Sequence, residues 1–236
     1  MAITAAMVKE LRELSGAGMM DCKKALNETD GNMDEAMEFL RKNGQAKAEK
    51  KASRIAAEGI VKVAVKDNTA AIVEVNSETD FVAKNEKFQT YVGKVAEQAL
   101  VTNAADIDAF MDEAWAEDTS KTVKDVLVEQ VAVIGENLKI RRFEKVTAEN
   151  GCIVDYIHGG GRIGVVVVAE SDTVNDTVKE AMKNIAMQIA ALNPKYIDRS
   201  EVSAEYIAHE KEILLAQIMN DPKESQKPEK VINGMI

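Results

Sequence analysis

The first 44 residues carry apolar side chains at helical spacing in three successive runs. Thr4 precedes the first run and Gly16 follows it, which supplies an N-cap and a stop. The third run ends at Asn43 and Gly44. The pattern predicts a bundle of three short helices, too small to be very stable alone and typical of an interaction module. Residues 45–56 are rich in Ala and Lys without an apolar face, which predicts a helical linker.

An internal repeat follows the linker. Residues 57–100 align without a gap on residues 149–192, at an offset of 92 positions. The matches include Gly59 with Gly151, Val73 with Val165, Glu78 with Glu170, Asp80 with Asp172, and Lys87 with Lys179. In each copy two apolar strands flank a turn, and a loop then leads into a helix. We therefore predict a duplicated core of two β-hairpin/helix subdomains.

The remaining segments complete a helix-dominated α+β protein. Residues 101–135 have helical patterns, 137–146 form a strand pattern, and 203–219 with 229–236 indicate a helical hairpin. The predicted segments are a three-helix module (1–44), a helical linker (45–56), a first core subdomain (57–146), a second core subdomain (147–200) and an incomplete projecting hairpin (201–236).

Composition narrows the function classes. The net charge is −10 and the pI about 4.9, so the surface repels phosphate backbones and direct nucleic-acid binding is not expected. No apolar run approaches the roughly 20 residues that span a bilayer, and the first residues do not form a signal peptide. Cys22 and Cys152 stand far apart, without metal-ligand spacing around them. We expect a cytoplasmic protein without cofactor or metal.

The glycine-rich segment around His158 is the strongest apparent candidate for chemistry. Gly159, Gly161 and Gly164 match G-x-G-x-x-G, but they precede the valine-rich strand, whereas a dinucleotide site needs them between a strand and a helix. His158 and His209 are the only histidines, and no nucleophile motif accompanies them. The glycines are better explained by a tight hairpin turn, and we expect no bond chemistry.

The two copies differ where the second strand leads into the helix. Residues 79–82 read Thr-Asp-Phe-Val, and residues 171–174 read Ser-Asp-Thr-Val. The Thr or Ser and the Asp suit helix N-caps in both copies. Phe81 has no such explanation: the ring is either a local hydrophobic staple or an exposed anchor for a partner's pocket.

Several longer segments resemble a known family. Residues 4–12, 15–26 and 74–85 closely resemble the signature blocks of bacterial elongation factor Ts. Further matches are residues 134–137 with Arg141 and Arg142, and residues 156–159 with 162–164. The resemblance covers essentially the whole chain, and the chain is identified as a member of this family.

The resemblance implies a guanine-nucleotide exchange factor for elongation factor Tu, the GTPase that carries aminoacyl-tRNA. It implies a ubiquitin-associated-like fold for the N-terminal helices. It also implies that residues 79–82 press on the partner's GTPase domain and disturb its Mg²⁺ site, with Phe81 as a wedge. The residues implied in partner binding are Thr79, Asp80, Phe81 and Val82, with Arg12, Met19, Met20 and His158 as further contacts.

The chain departs from the family pattern in two places. Ser77 stands where members usually have Cys, a change of little volume. Members typically continue beyond Ile236 through a return helix and a final strand, so we expect a shortened chain. A one-to-one complex and a homodimer both remain open, as does the alternative of a non-catalytic binding module that uses the N-terminal helices.

Overall fold

The computed structural model describes residues 2–236, so Met1, the first residue of the predicted module, lies outside the described residues. The chain forms two compact units, one up to Ala191 and one from Leu192. The α-helices are α1 (Ala5–Ser15), α2 (Met19–Glu28), α3 (Met33–Lys51), α4 (Asp80–Ala83), α5 (Glu86–Val101), α6 (Ile107–Asp112), α7 (Val123–Ile134), α8 (Asp176–Leu192), α9 (Ala204–Asn220) and α10 (Glu229–Met235). The strands are β1 (Glu58–Lys66), β2 (Thr69–Ser77), β3 (Ala114–Trp115), β4 (Asp118–Thr122), β5 (Lys139–Thr147), β6 (Gly151–His158) and β7 (Ile163–Glu170). The α+β class is confirmed.

Helices α1 to α3 form a module with its own small core. Thr4 caps α1 by accepting a hydrogen bond from the Met7 N–H at 3.3 Å, and Gly16 ends it in the left-handed region with φ of 65°. The fully buried residues of this core are Leu11, Cys22, Ala25, Leu26 and Ala36, with Val8 nearly so. The three predicted helices are therefore present.

The predicted end of the third helix at Asn43 and Gly44 is wrong. Helix α3 continues to Lys51, so residues 45–51 extend this helix and are not a separate element. Gly44 is buried, and a Cβ there would lie 3.6 Å from the Ala132 Cβ on α7. The glycine thus sits in a helix crossing, where tertiary packing overrides its weak helix propensity. The limits of the five predicted segments stay a prediction.

The first core subdomain is built on an antiparallel sheet in the order β1-β2-β5. Helix α5 covers this sheet with buried residues that include Phe88, Val92 and Val95. Helix α7 ends at Gly135, which adopts φ of 89°. Between these helices the chain forms the short β3-β4 hairpin, which the helical pattern of residues 101–135 did not predict. Its Trp115 is buried beside Tyr91, and the two ring centroids lie 6.5 Å apart.

The second core subdomain repeats the hairpin and helix, but not with one constant offset. Two residues connect β1 to β2, whereas four, 159–162, connect β6 to β7. Gly59 pairs with Asn76, but Gly151 pairs with Glu170, so the repeat offset changes from 92 before the turn to 94 after it. The gapless alignment is therefore correct for the first strand and wrong beyond the turn.

Contacts on the helices agree with the offset of 94. Phe88 on α5 and Met182 on α8 are both buried, and so are Val92 and Ala186. The Ser77 hydroxyl donates to the carbonyl of Thr79, and Ser171 makes the same bond to Thr173. Side chains that face the core after the turn thus correspond at 94 positions, because the longer turn shifts the returning strand by two residues.

The turn between β6 and β7 contacts the first sheet. The carbonyl of Gly161 accepts a hydrogen bond from the Val61 N–H at 2.7 Å. A Cβ on Gly161 would lie 2.9 Å from the Ile60 Cβ, and one on Gly164 would lie 2.5 Å from the Val61 Cγ1. The glycines therefore allow the predicted hairpin turn and also the close approach of the turn to β1.

The unit from Leu192 to Ile236 contains α9 and α10 at the predicted positions. Ser203 caps α9 through its hydroxyl, which accepts from the Tyr206 N–H at 3.1 Å. Tyr196 packs edge-on against Tyr206, with ring centroids 5.7 Å apart. None of the helices within residues 2–236 combines the length and apolar character needed to cross a membrane.

Candidate functional site

Residues 79–82 form the first turn of α4, directly after the sheet. Thr79 is the N-cap: its hydroxyl oxygen accepts from the Val82 N–H at 3.4 Å. The predicted helix N-cap is thus confirmed in the first copy. Ala83 is buried, and Val82 packs against the main core. These two residues fix the short helix to the core of the first subdomain.

Phe81 projects from this anchored turn with 81% of its surface exposed. A hydrophobic staple would bury the ring against its own helix, so the structure excludes that alternative. The aromatic side chain is instead exposed to solvent, next to Val82 and Ala83, which pack in the core and fix the backbone. A large exposed aromatic on a fixed element is typical of a binding anchor.

Asp80 neighbours Phe81 and carries a stable negative charge. Its Oδ2 lies 2.7 Å from Nζ of Lys84, and this hydrogen bond and charge hold the pKa of the Asp80 carboxyl below its ordinary value. Arg162, in the turn between β6 and β7, makes a smaller contribution in the same direction. The site therefore presents a carboxylate next to an exposed ring.

A carboxylate from a distant part of the chain holds the turn before α4. Oε2 of Glu136 accepts hydrogen bonds from the N–H groups of Glu78 and Thr79, both at 3.1 Å. Its Oε1 accepts from the Thr79 hydroxyl at 2.6 Å. In return, Oε1 of Glu78 accepts from the Asn137 N–H at 2.6 Å. Two loops are thereby joined in both directions.

Glu136 and Asn137 had no predicted role, although both lie in a segment that resembles the family. Glu136 follows Gly135, the C-cap of α7, and is separated from Thr79 by 57 positions. Periodicity and capping signals act over a few residues, so no local pattern relates these positions. The nearest local signal was the glycine that ends α7.

The other predicted contact residues lie on different elements. Arg12 is exposed on α1, and Met19 and Met20 are 58% and 74% exposed at the start of α2. His158 ends β6, and its Nδ1 lies 2.8 Å from the Tyr156 hydroxyl. Within residues 2–236 no hydrogen bond or ion pair joins these groups to each other or to residues 79–82. All four side chains are exposed and so accessible to a partner, but they lie on α1, on α2 and at the end of β6.

The corresponding region of the second copy is built differently. At the offset of 94, Thr79 corresponds to Thr173 and Phe81 to Asn175, so Thr173 is not the counterpart of Phe81. The predicted N-cap at Ser171 and Asp172 is also wrong, since α8 begins at Asp176. Instead Oδ1 of Asn175 accepts from the Val178 N–H at 3.0 Å. The second copy has no aromatic residue at this position.

Arg141 and Arg142, two of the residues that match the family, both bind Glu74. The pairing of β2 with β5 skips Arg141, which is the extra residue of a β-bulge. Consequently Arg141 Nη1 and Arg142 Nε reach the two oxygens of Glu74, at 3.0 and 2.7 Å. Burial opposes ionisation of Glu74, but hydrogen bonds from Arg142, Asn76 and Arg141 outweigh it and lower its pKa.

Across residues 2–236, no group of three or more His, Cys, Asp or Glu side chains is arranged to hold a metal ion. The exposed and precisely held features are a ring and a carboxylate, which suit binding.

Comparison with known proteins gives consistent matches. The family model described as Elongation factor TS matches residues 78–236. The chain is 52% identical over 236 residues to Elongation factor Ts of Clostridioides difficile (strain 630), covering 99% of this chain and 77% of that protein. It is 48% identical over 242 residues to Elongation factor Ts of Trichlorobacter lovleyi, covering 100% of this chain and 78% of that protein. Both relatives are longer than this chain.

Proposed function

The chain belongs to the elongation factor Ts family, and on that premise we propose that it is a translation elongation factor that accelerates GDP release from elongation factor Tu. It makes and breaks no covalent bond in this role and requires no cofactor of its own. It acts by binding the nucleotide-free partner more tightly than the GDP-bound partner. Because coupling between two ligands is reciprocal, it must then weaken GDP binding by the same factor.

The observation that carries this proposal is Phe81, an aromatic ring 81% exposed on a turn whose backbone is anchored. Burial of such a ring in a partner's pocket contributes about 1.5–3 kcal/mol, which changes an equilibrium by roughly ten- to a hundredfold. If that pocket opens only when the nucleotide site is distorted, the contact favours release. A wedge of this kind needs no catalytic side chain.

Residues 79–82 supply the contacts that disturb the nucleotide site. Asp80 presents its negative charge beside the Phe81 ring, and Thr79 and Val82 hold the turn. Pressure of this turn on the partner's GTPase domain shifts the groups around its Mg²⁺. Loss of that cation removes the largest positive charge near the diphosphate, and GDP then leaves faster.

The remaining exposed residues extend the contact area. Arg12, Met19 and Met20 bind the same GTPase domain from the helical module, and His158 contacts another domain of the partner. The segments 1–44, 57–146 and 147–200 each contribute to the complex, while 201–236 forms a helical hairpin. A one-to-one complex and a homodimer are both compatible with this scheme.

The test is a stopped-flow measurement of the release of a fluorescent GDP analogue from elongation factor Tu. Phe81→Ala is expected to reduce the acceleration roughly ten- to a hundredfold, because the ring burial is lost. The matched control is Asn175→Ala, at the corresponding position of the second copy, for which we expect a change of less than about twofold.

Equal effects of Phe81→Ala and Asn175→Ala would contradict the wedge. If the wild-type chain binds the partner but leaves the release rate unchanged, it is a non-catalytic binding module. Co-purification and release must therefore be measured on the same preparation.

A further inference from the structure

We propose that Glu136 is a positioning residue for nucleotide exchange, which acts through the turn that carries Phe81. The inference rests on the proposed function, in which Phe81 is the binding anchor. Glu136 itself contacts the backbone before α4 and not the exposed ring. Its effect on exchange is therefore indirect, through the orientation of the turn.

The first step is the need of the turn for acceptors. The ladder between β1 and β2 ends at the pair Glu58 and Ser77, so the N–H groups of Glu78 and Thr79 lie beyond it. Glu136 accepts from both of these N–H groups and from the Thr79 hydroxyl. Hydrogen bonds to an ionised carboxylate are stronger than neutral ones, so these three bonds fix the chain immediately before α4.

The second step is the reciprocal bond from Glu78. Its carboxylate accepts from the Asn137 N–H at 2.6 Å and lies 3.5 Å from Nη1 of Arg54. The Asn137 side chain in turn donates to the Arg54 carbonyl at 2.7 Å. The end of β2, the loop after α7 and the segment after α3 are thereby held together at one point.

The third step is that Thr79 transmits this restraint to Phe81. Its hydroxyl donates to Glu136 and accepts from the Val82 N–H. This one group therefore links the Glu136 carboxylate to the first turn of α4. Phe81 lies within that turn, between Thr79 and Val82. A fixed turn lowers the entropy lost when the ring docks, which is how preorganisation raises affinity.

The second copy holds its corresponding turn without a carboxylate from a distant part of the chain. Its corresponding turn is held within the hairpin, where Oδ1 of Asp172 accepts from the Asn150 side chain at 2.6 Å. Glu170 accepts from the N–H groups of Glu149 and Asn150. Hydrogen bonds from a distant part of the chain, those of Glu136, are therefore found in the copy that carries Phe81.

The experiment is a double-mutant cycle of Glu136→Ala and Phe81→Ala, read as accelerated release of the fluorescent GDP analogue by the full chain. Glu136→Ala alone is expected to reduce the acceleration roughly tenfold. In the Phe81→Ala background it should change the acceleration less than about twofold, because its route of action is already removed. Glu144→Ala, an exposed carboxylate on β5, is the matched control and should have no effect.

Amide hydrogen exchange provides a readout independent of the partner. Glu136→Ala should raise the exchange rates of the Glu78 and Thr79 amides, while amides in the centre of α5 keep theirs. Glu136→Gln retains the size of the side chain and one accepting oxygen, so it should restore part of both signals. This variant also keeps the test valid if Glu136→Ala fails to fold.

The proposal is overturned if Glu136→Ala leaves the acceleration unchanged, or if it lowers the acceleration by the same factor with and without Phe81. Unchanged exchange of the Glu78 and Thr79 amides would also overturn it. If the proposed function itself is wrong, the results differ. Phe81→Ala would then have no effect on GDP release, while Glu136→Ala would still raise the exchange rates of the Glu78 and Thr79 amides.

Discussion

The two core subdomains share one plan but differ in how firmly each is packed. Helix α5 of the first has seven buried residues and accompanies a three-stranded sheet, whereas α8 of the second buries Met182 and Ala186 and accompanies two strands. The first also contains α4 and its exposed Phe81, and the second has a longer turn. The better-packed copy is therefore the one that carries Phe81, an aromatic side chain with 81% of its surface exposed.

This difference has a physical reason. An exposed aromatic binds effectively only if its backbone does not move on docking, since mobility adds an entropic cost. The buried α5 and the anchored Val82 and Ala83 provide such a base in the first copy. In the second copy, Gly161 of the turn and Gly164 of β7 instead lie close to β1. The same hairpin-and-helix unit thus carries an exposed aromatic residue in one copy and a turn close to the neighbouring sheet in the other.

The largest expected effect concerns the two cores. Phe88→Ala should lower the free energy of unfolding by about 3–5 kcal/mol, because Phe88 is fully buried and its removal leaves a cavity. The matched change Met182→Ala should cost only about 2 kcal/mol, since fewer buried neighbours surround it and the site can collapse. Urea unfolding followed by circular dichroism measures both, and equal losses would show that the two cores are equally well packed.

A smaller effect is expected at the glycine turn of the second copy. Gly161→Ala should destabilise the chain by about 2 kcal/mol, because φ is 100° and the new Cβ would lie 2.9 Å from the Ile60 Cβ. Gly160→Ala is the control: φ is 68° with nothing within 4 Å, so only about 1 kcal/mol of backbone strain is expected. Thermal unfolding compares the variants. A Gly160 variant as unstable as the Gly161 variant would contradict the close contact with β1.

The smallest effect concerns stability in acid. The first copy has Glu74 on its second strand, whereas the second copy has Val168 at the corresponding position. The folded-state pKa of Glu74 is lowered, so its contribution is present above the unfolded-state pKa and is lost as pH falls through the folded value. Glu74→Gln should therefore be less stable than wild type near pH 7, by about 0.5–1 kcal/mol. The difference should disappear in acid.

Urea unfolding at a series of pH values measures this difference, with Glu144→Gln as a control for loss of an exposed carboxylate. The difference in the free energy of unfolding between wild type and Glu74→Gln could also stay constant down to the lowest pH. In that case the ion pairs with Arg141 and Arg142 are not the source of the difference.

Much of the architecture was predictable because its signals are local. The caps at Thr4 and Thr79 and the stop at Gly16 act within one helical turn, and the structure confirms all three. The α+β class and the family resemblance are confirmed as well. For the candidate site, the contrast between the copies drew attention to Phe81, although it paired this residue with Thr173 instead of Asn175.

The sequence by itself thus determined most of the helices and strands, the duplication, and the aromatic residue that we propose as the anchor. Only the tertiary structure decided which residues correspond after the turn, since register follows from turn length and cross-strand hydrogen bonds, which a gapless alignment does not contain. It likewise decided that Gly44 lies inside a helix, where α7 packs against it. The link from Glu136 to Thr79 joins residues 57 positions apart, and only folding brings such groups together.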